Sequence, residues 1–245
     1  MDVVIVTGAA GGIGSIYVKA LAEAGYGVVA ADLQPPERLV AQINAKGANA
    51  LAVAVDVSDR ASTEAMAAKV EKAFGRIDGL VNNAAYYSAI LKKDFTELTD
   101  QEWDHCFAVN VRGAWLCARA VVSAMRRRGR GKIVNIASMT VPTAPPGFAH
   151  YIASKAAIVG LTRALARELG ADGICVNTLS PDYIAFDRDY DNRQPQMRQM
   201  LTAQRCILRE ETADDLLGTL LYLLGPGSDF VTGQDIWVNG GRAFG

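Results

Sequence analysis

Short apolar runs alternate with helix-length amphipathic segments along the whole chain, and this alternation limits the possible folds more than any other feature. The runs cover 3–6, 28–31, 50–55, 79–81, 132–137, 174–179 and 235–238. They are rich in Val and Ile and apolar throughout, whereas a strand with one wet face would alternate. Unbroken runs suit parallel strands covered on both faces. Helices are expected between them over 14–24, 37–46, 60–74, 100–128, 150–169 and 213–224. Strand–helix–strand order implies right-handed crossovers and an α/β fold built on a doubly wound parallel sheet. No linker or repeat interrupts the pattern, so 1–245 are expected to form a single domain. The rhythm breaks once, between 181 and 211, where the chain is polar and carries Pro195. That insertion follows the carboxyl end of a strand, where open α/β sheets build ligand-binding structure. It is expected to cover the substrate as a lid, with packing on a neighbouring subunit as the alternative.

Composition narrows the function classes. Half of the 245 residues are hydrophobic, so a sizeable core is available. Lys and Arg number 25 against 26 Asp and Glu, a net charge of -1, which argues against nucleic acid or an anionic membrane as the main partner. Cys106, Cys117, Cys175 and Cys206 form no CxxC pair, and the histidines are His105 and His150, so a metal cluster is not expected. No apolar stretch is long enough to span a bilayer, and the chain opens on an acidic residue and a strand-like run rather than a basic leader. These features point to a cytoplasmic protein with reduced thiols.

The first strand runs into Thr7-Gly8-Ala9-Ala10-Gly11-Gly12-Ile13-Gly14 and then a helix. Glycines in that place allow a tight turn and let backbone N–H groups approach a pyrophosphate at a helix N-terminus. The spacing of Gly8, Gly12 and Gly14 is not GxGxxG, and no lysine follows as in a P-loop. Asp32 ends the second strand, where a carboxylate can accept hydrogen bonds from the adenosine ribose hydroxyls and repel a 2′-phosphate. No Arg or Lys lies in the loop or directly after Asp32, so charge favours NAD over NADP.

Tyr151 and Lys155 stand four apart on an expected helix and share a face. A tyrosine is a poor base near neutrality, and a neighbouring ammonium is expected to lower its pKa. Such a pair can exchange a proton with an alcohol or carbonyl oxygen. Ser138, just after a strand and thirteen residues before Tyr151, can donate a hydrogen bond to the same oxygen.

TGAAGGIG at 7–14, Asp56-Val57, NNAA at 82–85, Asn110 within FAVNVRG, Ser138, YIASK at 151–155 and SP at 180–181 follow one another at intervals that resemble the short-chain dehydrogenase/reductase family. The resemblance covers essentially the whole chain. It implies a Rossmann-type sheet of seven parallel strands, a nicotinamide cofactor, a small alcohol or ketone substrate and a homotetramer. Matched motif by motif, it assigns Gly8, Gly12, Ile13 and Gly14 to the dinucleotide and Asp32 to its adenosine ribose. Asp56 and Val57 would meet the adenine, and Asn83 and Ala84 would line the cleft, with Pro181 and Ile184 also beside the cofactor. Tyr151 would be the acid/base, Ser138 would orient the substrate, Lys155 would bind the nicotinamide ribose, and Asn110 would hold a relay water.

Three positions depart from the family pattern: Ala85 follows NNA where glycine is usual, Asp182 replaces the glycine of Pro-Gly, and Phe186 stands where threonine is common. Tyr86, Met139, Phe148, Tyr183, Phe186 and Tyr190 are candidate pocket residues, and their rings favour an apolar or ring-bearing substrate. His150 reads as a pocket-wall or capping residue rather than a second base. Arg126-Arg127-Arg128 before Gly129 reads as the basic last turn of a helix rather than a dock for an acidic carrier. The leading function is NAD(H)-dependent interconversion of a secondary alcohol and a ketone. A 3-oxoacyl-carrier reductase, a sugar or polyol dehydrogenase, and an NAD-responsive binding protein without turnover are the alternatives.

Overall fold

Seven strands, β1 (Val3–Thr7), β2 (Gly27–Asp32), β3 (Ala50–Ala54), β4 (Gly79–Asn82), β5 (Gly131–Ile136), β6 (Ile174–Pro181) and β7 (Asp235–Val238), form one sheet in the computed structural model. Every neighbouring pair is parallel, in the order β3-β2-β1-β4-β5-β6-β7. The structure describes residues 1–87, 89–184 and 195–245. The unbroken apolar runs are explained by burial on both faces. Val3 and Ile5 pack into a cluster with Met66, Val70, Val121 and Met125, while Val4 and Val6 pack into another with Tyr17, Val18, Leu21 and Leu220.

The first face is covered by α3 (Arg60–Phe74), α5 (Gly113–Arg128) and α7 (Ala149–Leu169), and the second by α1 (Gly12–Glu23), α2 (Glu37–Ala45) and α9 (Leu217–Leu224). Strand order reverses between β1 and β4, so the crevice at their carboxyl ends is the switch point of the sheet, where such folds bind ligands.

The helix expected over 100–128 is interrupted. α4 (Asp100–Phe107) passes through a π-helical turn, Ala108–Arg112, into α5. A π-turn inserts one residue and re-aims the side chains within it, here Asn110. The insertion is not wholly irregular either: after a single turn at Thr140–Thr143 (α6) and the long α7, its described part contains α8 (Pro195–Ala203). Pro195 sits at the first helical position, where its missing N–H costs nothing.

Asn82 joins the central strands by donating to Asn135 Oδ1 at 2.8 Å, and Asn135 donates to Thr162 Oγ1 at 2.8 Å. The arginine run lies at the opposite end of the sheet, ahead of β5. Arg126 pairs with Asp172 at 2.7 Å, Arg127 with Glu71, Arg128 with Asp78 at 3.1 Å and Arg130 with Asp2 at 2.6 Å. Gly129 takes the left-handed conformation that ends α5, so the helix-end reading of this run holds.

Candidate active site

The loop after β1 and the loop after β4 meet in the crevice. Gly8 has φ of +66°, and a Cβ there would stand 2.8 Å from Ala84 Cα. A Cβ on Gly14 would stand 2.1 Å from the Gly8 carbonyl oxygen. Only glycines let these backbones approach so closely. Asn83 Nδ2 donates to the carbonyls of Thr7 at 2.9 Å and Gly8 at 3.1 Å. The Thr7 hydroxyl accepts from the N–H groups of Asn83 and Ala84, both at 3.1 Å, and donates to Val81 O at 3.3 Å. α1 starts at this loop without a side-chain cap, which leaves its first N–H groups as an anion cradle. Asp32, at the end of β2, accepts from the Ala10 N–H at 2.9 Å, so its carboxylate borders the same loop.

Ser138 follows β5 and Tyr151 stands in the first turn of α7. The Ser138 hydroxyl stands beside the Tyr151 phenol, and its Oγ accepts from Thr140 N and Oγ1 at 3.1 and 3.0 Å. Lys155 Nζ lies 5.7 Å from the Tyr151 ring centroid and donates to Ile136 O at 2.7 Å. Both side chains are buried. The expected lowering of the phenol by the ammonium is not what this environment produces. Burial raises the Tyr151 pKa above its ordinary value, helped by Tyr87, and outweighs the opposing hydrogen bond from Ser138. Burial lowers Lys155 to about 8. Sequence spacing supplies the neighbour but not the loss of water around both groups, and that loss dominates.

Asn110 is buried, and the π-turn points its amide toward α7. Its Oδ1 accepts from Tyr86 N–H at 2.6 Å, and Nδ2 donates to Ser154 Oγ at 2.9 Å and reaches Cys106 Sγ at 3.4 Å. Tyr87 lies 5.1 Å from Tyr151 and 6.5 Å from Phe148, centroid to centroid, and Phe148 lies 6.3 Å from Tyr151. A proton-bearing hydroxyl pair therefore sits against aromatic walls beside a glycine-lined cradle.

Known proteins share this plan. A family model described as enoyl-(acyl carrier protein) reductase matches residues 8–243. The chain is 35% identical over 240 residues to the 3-oxoacyl-[acyl-carrier-protein] reductase FabG of Staphylococcus aureus, covering 97% of this chain and 96% of that protein. It is 37% identical over 244 residues to the (2S)-[(R)-hydroxy(phenyl)methyl]succinyl-CoA dehydrogenase subunit BbsD of Thauera aromatica, covering 98% and 96%. Among solved structures, a gluconate 5-dehydrogenase from Burkholderia cenocepacia in complex with NADP and tartrate superposes with a TM-score of 0.90 at 30% identity, covering 98% and 94%. The chain is a short-chain dehydrogenase/reductase. Members of this family are oxidoreductases that use a nicotinamide cofactor, and that much applies here. The substrates named for these relatives differ, so the likeness carries the class of chemistry and not the substrate.

In this dehydrogenase/reductase Gly8, Gly12, Ile13, Gly14, Asp32, Asn83 and Ala84 all gather at the crevice. Asp56 and Val57 lie just beyond β3. The Asp56 carboxylate accepts from Ser58 N and Oγ at 2.8 and 2.7 Å, and Val57 packs against Gly113. Pro181 and Ile184 are buried at the carboxyl end of β6. Of the pocket candidates, Tyr86 and Phe148 flank Tyr151, with Tyr86 edge-on to His105. Met139 is 1% exposed, its N–H donates to Pro181 O at 2.9 Å, and Asn239 reaches its sulfur at 3.7 Å. Tyr183 is half-buried after β6, and Phe186 and Tyr190 lie outside the described residues. His150 is buried in the first turn of α7, and burial lowers its pKa.

Sequence reading missed the role of Thr7 and the partners of Asp182. A threonine before a glycine loop carries no signal by itself. Asp182 was seen as a departure without partners. Among the described residues no cluster of His, Cys, Asp or Glu could hold a metal, and no helix is long and apolar enough to cross a membrane.

Proposed function

We propose that this protein interconverts a secondary alcohol and a ketone with NAD(H), and that Tyr151 is its acid/base. The observation that carries this reading is the meeting of Ser138, Tyr151 and Lys155 at the carboxyl end of the sheet, beside the loop that Asp32 borders. The bound nicotinamide would supply or accept the hydride. The Gly8–Gly14 loop and the uncapped start of α1 fit its pyrophosphate, Asp32 fits the adenosine ribose, and Lys155 would reach the nicotinamide ribose. Asp56, Val57, Pro181 and Ile184 complete the proposed cofactor contacts.

In the reducing direction Tyr151 keeps its proton at neutral pH, because burial disfavours the phenolate. It releases that proton to the substrate oxygen as negative charge grows there. The Ser138 hydroxyl orients the same oxygen. Asn110 holds the backbone of Tyr86 and the Ser154 hydroxyl, and so the pocket wall and the Tyr151 turn. We assign it the relay water as well.

Asp32 supports NAD over NADP, since its carboxylate would face a 2′-phosphate with no Arg or Lys in the glycine loop or directly after Asp32. A second reading, reduction of a 3-oxoacyl carrier thioester, is supported by the 35% identity to the S. aureus FabG. The test is a panel of secondary alcohols, ketones, polyols and a 3-oxoacyl thioester, each with both nicotinamide coenzymes, followed by absorbance of the reduced coenzyme. Turnover of simple ketones or alcohols with NAD(H) supports the first reading, and turnover confined to the thioester supports the second. Absence of turnover across the panel, with coenzyme bound, overturns both in favour of a binding protein. We also propose a homotetrameric assembly in the cytoplasm.

A further inference from the structure

Asp182, the residue that departs from the family's Pro-Gly, lies at the centre of a buried ionic cluster. Its carboxylate is 3% exposed and takes two guanidinium groups: Arg205, itself 2% exposed, reaches Oδ2 at 2.9 Å, and Arg242 reaches Oδ1 at 2.5 Å. Arg205 also donates to the carbonyls of Tyr183 and Arg209, both at 3.1 Å, and lies 3.8 Å from Glu211. Three pieces of chain meet here: the end of β6, the stretch after α8, and the C-terminal tail after β7. Ile184 and Glu211 form a parallel bridge beside it, and the Ile207 N–H donates to Gly240 O at 2.9 Å.

Burying Asp182 with Arg205 is costly, and the geometry repays it only if their hydrogen bonds are filled. The cluster is also connected to the reacting hydroxyls. Asp182 N–H bonds Val238 O, and the preceding carbonyl, that of Pro181, accepts from the N–H of Met139, which adjoins Ser138. Met139 is in turn held by Asn239.

We propose that Asp182, clamped by Arg205 and Arg242, is a positioning residue that sets the end of β6 and, through the Pro181–Met139 hydrogen bond, the placement of Ser138 against Tyr151. This inference rests on the oxidoreductase reading of the Ser138–Tyr151 pair. Its test uses the full-length protein, with Asp182→Asn, Arg205→Met and Arg205→Lys compared after near-ultraviolet circular dichroism confirms folding. Arg242→Gln serves as a milder variant should Arg205→Met fail to fold. Two readouts are taken. Hydrogen exchange of the Met139 amide is measured without ligands. Then kcat, KM and the coenzyme Kd are measured with the best substrate of the panel.

Asp182→Asn and Arg205→Met should speed Met139 exchange at least about tenfold and lower kcat by about tenfold. Coenzyme Kd should stay within about threefold, and Arg205→Lys should recover part of the loss. Wild-type exchange in folded variants overturns the clamp. Faster exchange with unchanged kcat also overturns it, because the cluster would then support the fold alone. An inactive wild type instead overturns the reaction reading and leaves the clamp to be decided by exchange.

Discussion

At the scale of single residues, the site is governed by burial more than by pairing. Tyr151→Phe keeps the ring and its packing against Tyr87 and Phe148 but removes the only group proposed to move the proton. Turnover should fall by roughly 10²–10⁴-fold with coenzyme Kd unchanged, as read by fluorescence titration beside steady-state rates. Asp32→Ser removes a charge that borders the coenzyme cradle, and the ratio of kcat/KM for NAD over NADP should shrink by roughly tenfold or more. Equal use of both coenzymes by the wild type would contradict the role given to Asp32. Glu211 presents a pH effect with a definite sign. Burial, and then the charge of Asp182, push its carboxyl up to about 8, while Arg205 opposes them. A carboxyl raised on folding stabilises the native state fully below its unfolded value of 4.5. That contribution fades as pH rises toward about 8 and is constant above it. Glu211→Gln should therefore flatten the loss of Tm between pH 5.5 and pH 8.5, measured by calorimetry. A slope equal to that of the wild type would mean that Glu211 is not the group responsible.

At the scale of elements, the sheet was legible because two-sided burial leaves a plain mark, an unbroken run of Val and Ile. β7 matches the expected 235–238 to the residue, and the other strands differ by one or two residues at their ends. The π-turn at Ala108–Arg112 left no mark, since one extra residue inside a long amphipathic pattern does not change its period. α8 was hidden because Pro195 and neighbouring charges read as loop, although proline is welcome at a helix's first position. The catalytic hydroxyls and the glycine loop were legible as short motifs. The clamp was not, because Arg205 is 23 residues and Arg242 is 60 residues from Asp182 in sequence. The Asn82–Asn135–Thr162 chain was also hidden, as polar residues inside apolar strands look like interruptions. Asn135→Ala should leave Asn82 with the Ala114 carbonyl at 3.2 Å as its amide's remaining acceptor and remove the donor to the Thr162 hydroxyl, at a cost of about 1–3 kcal/mol. For a chain of this size that is a fall of about 2–4 °C in Tm per kcal/mol in thermal unfolding. An unchanged Tm would show that these strands do not depend on the polar chain.

At the scale of the whole molecule, two surfaces stand out as unfinished. Trp103 and Trp115 are about two-fifths exposed on α4 and α5, with Trp103 stacked on Phe107 at 5.1 Å, and Tyr222, Phe230 and Phe244 are exposed near β7. Large rings left in water on two faces suit an assembly of the order proposed here. Trp115→Glu should lower the mass found by light scattering, while the monomeric mass of an undisturbed wild type would remove the assembly proposal. The Thr7 hydroxyl ties the loop after β1 to the loop after β4, because it takes the backbone amides of Asn83 and Ala84, 76 and 77 residues further along. For anyone who redesigns this protein, 7–14 and 82–85 thus form one mutational unit. A library that varies the first stretch alone samples sequences for a floor shaped by the second, and its neutral paths run through paired changes.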